Sequence, residues 1–146
     1  MQIVCRKDFD WDDKLPEEIL KRWEEWAKSL SSLSSLSVPR CMIHDDVVHR
    51  LQLHTFSDAS ERGLGAVVYL GIIGPDRVNV SFVMAKLRVT PLKYVSMPWL
   101  ELCAALMAVR LTNIVKAELK IEVARCVFWT DSTTGLRWIN AKTCRF

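Results

Sequence analysis

The sequence predicts an α/β domain: a mixed sheet of three antiparallel strands, then a helix and a fourth strand, preceded by an N-terminal helix. Three observations carry that expectation. Runs rich in β-branched and aromatic residues recur between positions 50 and 85, separated only by short turn signals. A long apolar run with proline near its start follows, from 98 to 111. A further β-type run, Cys126-Val-Phe-Trp-Thr-Asp131, leads into Ser132-Thr133, a pair suited to cap a helix. Such an order suits a sheet covered by helices.

The elements can be justified in turn. Pro16 suits the first turn of a helix, and Glu17 and Glu18 favour the positive end of its dipole. Ile19, Trp23, Trp26 and Leu30 then recur at helical spacing on one face. In "SLSSLSSLS" the leucines 30, 33 and 36 repeat every three residues, which reads as further helix or as a serine-rich connector. Val38-Pro39 ends it, because the residue before proline is pushed out of helical geometry. The expected boundary places a helical connecting segment over 1–48 and the sheet domain over 49–146.

In the second part, Arg50 to Asp58 reads as a strand, followed by a turn over Ser60 to Gly63. Gly65 to Ile72 is the second strand, and Gly74-Pro75-Asp76 turns into the third, Val78 to Ala85. Pro98 to Leu111, with Ser96 or Met97 at its cap, is apolar nearly all round and is expected to be buried. Cys126 to Asp131 is the fourth strand, and a short helix follows through Asn140.

A chain of 146 residues, half hydrophobic and a quarter charged, is globular in composition and about one domain in size. No uninterrupted apolar run reaches the roughly 18 residues of a membrane span, so no membrane association is expected. The opening "MQIVCRKDFDWDD" lacks the apolar core of a secretory signal, which points to an intracellular, cytoplasmic protein with nuclear access open. Cys5, Cys41, Cys103, Cys126 and Cys144 are odd in number and form no CxxC pair, which fits reduced thiols. Residues 1–50 carry 8 Lys/Arg against 10 Asp/Glu, and residues 51–146 carry 12 against 7. The basic second part leaves room for a polyanionic partner.

Three carboxylates take comparable places in this layout. Asp58 ends the first strand, Asp131 ends the fourth, and Glu101 sits early in a helix almost free of other charge. Two readings stand open. Each residue suits a local role, as turn former, strand-end cap or helix N-terminal charge. Alternatively, the three compensate one another around divalent metal, since hard cations take oxygen ligands. Two such ions roughly 4 Å apart can activate water and stabilise a leaving oxygen in phosphodiester hydrolysis.

The stretches "FSDASERGLGAVVYL", "SFVMAKLRVTPLKYVSMPWLELCAAL" and "FWTDSTTGLRWI" together resemble the ribonuclease H-like region of BEL/Pao-type LTR retrotransposon polyproteins, often labelled Pao retrotransposon peptidases. Upstream, "WDDKLPEEILKRWEEWAKSLSSLSSLSVPRC" is similar to the segment that follows their reverse transcriptase. The resemblance covers nearly the whole chain in the same order. It implies a ribonuclease H-like fold and a site of Asp58, Glu101 and Asp131 around two Mg²⁺ or Mn²⁺ ions, cutting the RNA strand of an RNA–DNA hybrid. It also implies a reverse transcriptase domain of the parent polyprotein as a partner. Ribonucleases H usually carry a fourth carboxylate on a late helix, after a fifth strand, and this chain stops at Phe146 before either. The expectation is therefore a C-terminally truncated domain with impaired catalysis. The alternative is a non-catalytic remnant that binds nucleic acid or packs against a polymerase. The family also tends to place arginine where Trp99 stands.

Other signals are weaker. Lys86, Arg88 and Lys93, between the third strand and the long helix, are candidates for holding backbone phosphates. Asp8, Asp10 and Asp12 imitate the opening of an EF-hand loop, but Asp13 and Ile19 replace the glycine and glutamate it needs. Cys41, His44, His49 and His54 match no common zinc spacing. His44-Asp45-Asp46 lacks the apolar flanks of a polymerase motif. Asp131-Ser-Thr-Thr-Gly135 has its glycine two positions too late for an aspartic peptidase, so peptidase activity is not expected.

Overall fold

The computed structural model describes residues 4, 9–10, 12–43 and 50–141. The imitation EF-hand aspartate Asp8, His44, His49 and the Asp45-Asp46 pair lie outside the described residues. The chain divides into two compact units, residues 1–39 and 40–146.

The first unit is built on helix α1, Glu17–Ser29, with Pro16 at its N-cap. Glu17 and Glu18 in the first turn and Lys28 in the last complement the dipole. Trp23 and Trp26, one turn apart, bring their rings to 4.8 Å, and no residue of α1 is buried. The serine–leucine repeat forms a 3₁₀ helix, Leu30–Ser35. At three residues per turn, a leucine every third position makes one exposed ridge. The serines reinforce the tighter winding by donating to carbonyls three residues back, as Ser32 does to Ser29 O at 2.6 Å and Ser35 to Ser32 O at 2.7 Å. The 3₁₀ helix stops at Ser35, ahead of the Val38-Pro39 break.

The second unit contains β1 (Arg50–Ala59), β2 (Gly63–Ile73), β3 (Val78–Val89), α2 (Met97–Leu119), β4 (Arg125–Trp129) and α3 (Thr133–Asn140). The sheet order is β3-β2-β1-β4. Strand β1 is antiparallel to β2 and parallel to β4, and β2 is antiparallel to β3, so the expected meander plus a fourth strand makes a mixed sheet. Ser60 closes the β1–β2 turn, accepting from the Gly63 amide at 3.2 Å. Strand β3 runs four residues past the expected end and takes in Lys86 and Arg88. Its alternation continues there, with Lys86 opposite Ala66 and Arg88 opposite Leu64.

Helix α2 packs on β1 and β2. Alternate residues of β2, from Leu64 to Ile72, are buried together with Leu53 of β1 and with Leu100, Ala104, Ala108, Leu111 and Val115 along one stripe of the helix. The helix is two turns longer than expected and ends at Lys120 in left-handed conformation (φ 50°). Burial all round does not hold. Trp99, Leu106, Val109 and Ile114 are exposed, because only one side of α2 meets the sheet.

One polar pair crosses this core. Thr55 on β1 and Thr112 on α2 are both buried, with their hydroxyls 2.6 Å apart. Thr112 donates its single proton to Ala108 O at 2.9 Å, so Thr55 is the donor between the two hydroxyls. Thr112→Val strips Thr55 of its acceptor and should cost about 1–3 kcal/mol. Thr55→Val should cost less, because Thr112 keeps its carbonyl partner, and the double substitution should be nearly neutral. Urea denaturation of the three variants measures this. Equal losses in both single variants would contradict the donor assignment.

The sheet face opposite α2 carries a row of rings across all four strands. Trp129 stacks on Phe56 at 5.9 Å, Phe56 meets Tyr69 edge-on at 6.0 Å, and Tyr69 meets Phe82 at 6.0 Å. The Trp129 indole N–H donates to His54 Nδ1 at 3.1 Å, so the proton of that imidazole sits on Nε2, beside Gln52 Oε1.

Candidate active site

Strands β1 and β4 deliver two of the three carboxylates. Phe56 and Trp129 are register partners in the parallel pair, and Asp58 and Asp131 each lie two residues further on. Neighbouring parallel strands lie about 4.8 Å apart, so the two aspartates leave the same end of the sheet side by side. Both line one open cleft of about 1000 Å³ whose apolar walls include Phe56 and Trp129, with Arg62 and Lys86 also at its surface. Both aspartates are exposed.

Their local roles are real as well. Asp58 Oδ1 accepts the Ala59 amide at 2.7 Å. The turn that carries Asp131 is shaped by Thr130, whose hydroxyl accepts the Ser132 amide at 3.2 Å. Turn-former and site-former are therefore compatible descriptions of the same residues.

Glu101 reaches this end of the sheet from the second turn of α2. Its Oε2 accepts a hydrogen bond from the hydroxyl of Ser132, the residue after Asp131. Ser132 is the N-cap of α3, and its Oγ accepts the Gly135 amide at 2.9 Å. Glycine gives that hydroxyl room, since a Cβ at Gly135 would lie 3.0 Å from Oγ, a tight contact that the serine would have to yield to. Ser132 escaped the sequence reading. Its serine-before-helix position signalled only a cap, and its link to Glu101 spans 31 residues.

The structure thus gathers Asp58 and Asp131 in one cleft and fastens Glu101 to the residue beside Asp131. Among the described residues, no group of three or more His, Cys, Asp or Glu side chains stands close enough to hold a metal ion. The donor chemistry still suits a hard divalent cation. Mg²⁺ is commonly held by one or two carboxylates with water and substrate phosphate completing the shell, and the paired aspartates meet that requirement. His54 is occupied by Trp129 and Gln52, and Cys41 donates to Ile43 O at 3.0 Å.

The basic candidates separate. Lys86 borders the aspartate cleft and also a second, smaller pocket of about 340 Å³ between β3 and α2. Arg88 lines only that second pocket, together with Trp99 and Arg110, and Lys93 lines neither. Arg62, on the β1–β2 turn, lines the aspartate cleft and was not singled out from the sequence. A basic residue beside a turn carries no signal until the turn is known to border the site.

Among the described residues, no helix is long and apolar enough to cross a membrane. A family model described as Pao retrotransposon-like RNaseH-like domain matches residues 1–132. No curated protein and no solved structure matches the chain.

Proposed function

Because this chain belongs to the Pao retrotransposon-like RNaseH-like domain family, we propose that it hydrolyses phosphodiester bonds in the RNA strand of RNA–DNA hybrids, at the cleft between Asp58 and Asp131. The observation that carries the reading is the paired exit of those two aspartates from adjacent parallel strands into one cleft, with Glu101 tied next to Asp131. Mg²⁺ or Mn²⁺ would be held by Asp58 and Asp131, with Glu101 as the third ligand. Bound there, such ions supply a water of lowered pKa and neutralise charge on the scissile phosphate.

The chain's own groups do the rest. Asp58 and Asp131 present anionic oxygens at an end of the sheet open enough to admit a polymer. Lys86 and Arg62 attract backbone phosphates to the cleft without reading sequence. Phe56 and Trp129, stacked on each other, form an apolar wall of the cleft beside the aspartates. In the parent element the same domain would act beside a reverse transcriptase.

The test is cleavage of an end-labelled RNA–DNA hybrid with Mg²⁺ or Mn²⁺, run beside a chelator control and an Asp58→Asn variant. Cation-dependent cutting of the RNA strand that the variant loses is the expected result. Equal cutting by both chains would remove Asp58 from the site. Silence in both favours the alternative, a module that binds nucleic acid or packs against a polymerase.

A further inference from the structure

We propose that the trench between β3 and α2 docks an amphipathic helix with acidic flanks, carried by a partner protein. The inference stands apart from the aspartate cleft and asks nothing of its carboxylates.

The trench exists because α2 lies mainly over β1 and β2 and leaves most of the edge strand β3 uncovered. Its floor is made by Leu64, Leu100, Met107 and Leu111, all members of the buried core. On the helix wall Trp99, Cys103, Leu106, Arg110 and Ile114 follow one another every three or four residues, as one stripe along α2. Trp99, Leu106 and Ile114 keep about half of their surface in solvent, and a docked partner would remove it from water. At 1.5 Å per residue the stripe from Trp99 to Ile114 is about 22 Å long. A volume of about 340 Å³ drawn out over that length is narrow. It takes a ridge of side chains, not a whole helix.

Charge shows what the ridge belongs to. Lys86 and Arg88 stand on the strand wall, paired with Ala66 and Leu64, and Arg110 stands on the helix wall. None of the three forms an ion pair among the described residues, and no Asp or Glu among them lines the trench. Cations on both sides of an apolar floor match a helix whose apolar stripe has carboxylates on both flanks. The two arginines can each take a carboxylate bidentately at the rim. A lone anionic head group would need cations at one end only. A phosphate backbone would meet the cations and leave the leucine floor in water.

Fluorescence anisotropy of a labelled helical peptide of about 15 residues, long enough to span the trench, tests this on the full chain. The peptide carries leucines at helical spacing and glutamates on both flanks, and micromolar binding is expected of so small an interface. A scrambled peptide without the stripe, and one with lysines for the glutamates, should each bind about tenfold more weakly or worse. Arg88 and Arg110 do not line the aspartate cleft, so they are the residues to reverse. Arg88→Glu with Arg110→Glu should weaken the glutamate peptide about tenfold and tighten the lysine peptide. That crossed response cannot come from misfolding. Leu106→Gln, at an exposed position, should weaken both peptides. Binding of the glutamate peptide no tighter than its scrambled form overturns the inference. Affinity unmoved by the double reversal overturns it too, since the peptide then sits elsewhere. Displacement of the peptide by single-stranded oligothymidylate, with oligothymidylate affinity lost in the double reversal, would make the trench a nucleic-acid surface and overturn it as well.

Discussion

If the proposed function holds, Asp131→Asn should lower cation-dependent cleavage of an RNA–DNA hybrid by more than about 100-fold, the upper range for losing a mere supporting partner of a metal ligand. The substitution keeps size and shape and removes only the charge that would meet the cation. Asp131 is exposed, and the turn around it is held by Thr130 and Ser132 through other atoms. Stability should therefore stay within about 0.5 kcal/mol of the parent, as for surface positions generally. Asp58→Asn should behave alike, because an asparagine Oδ1 still accepts the Ala59 amide that Asp58 holds. Single-turnover cleavage beside a circular-dichroism melt measures both quantities. Cleavage by Asp131→Asn within tenfold of the parent would exclude Asp131 as a ligand, whatever the stability.

Leu53→Ala is the substitution expected to damage the fold most. Leu53 is 0% exposed at the centre of β1, with Leu70 of β2 on one side and Cys126 of β4 on the other. Removing its isobutyl group opens a cavity beneath α2 that neither neighbouring strand can close without losing register. A cost of about 3 kcal/mol is expected, within the 2–5 kcal/mol range of such truncations. Since whole domains are stable by only about 5–15 kcal/mol, a visible share of molecules would unfold. Val80→Thr on β3, a change at an exposed position on the open sheet face, should fall within about 0.5 kcal/mol. Urea midpoints compare the two, and a Leu53→Ala loss below about 1 kcal/mol would contradict the core placement.

Much of the sheet was legible because its strands alternate and its turns use glycine, proline and serine. The end of β3 was not. Lys86-Leu-Arg-Val89 looks like a basic loop by composition, yet its period of two is that of a strand, and pairing with Gly63 to Ala66 supplies the missing reason. Edge strands can carry charge on both faces, so composition misleads there. The serine–leucine repeat left helix and connector open, and a period of three is the mark of the 3₁₀ winding that formed. Helix α2 was readable as a helix but not as half-exposed, because apolar composition does not tell which side meets a sheet.

The site divides along the same line. Asp58, Glu101 and Asp131 could be named from sequence because each is a carboxylate in an apolar or strand-end setting, where charge needs a reason. Family resemblance then joined them. Arg62 and Ser132 could not be named, since neither is unusual among its neighbours.

By itself the sequence determined the element types, the meander, the helical character of α2 and the identity of the acidic candidates. These follow from interactions within a few residues, which periodicity and turn chemistry record. Only the tertiary structure decided that β4 lies parallel to β1, that Asp58 and Asp131 share a cleft, and that Ser132 holds Glu101 across 31 residues. Those facts depend on which strand edge β4 reaches after α2 crosses the sheet. That is set by the burial of α2's stripe against β1 and β2, and no local pattern in the chain encodes it.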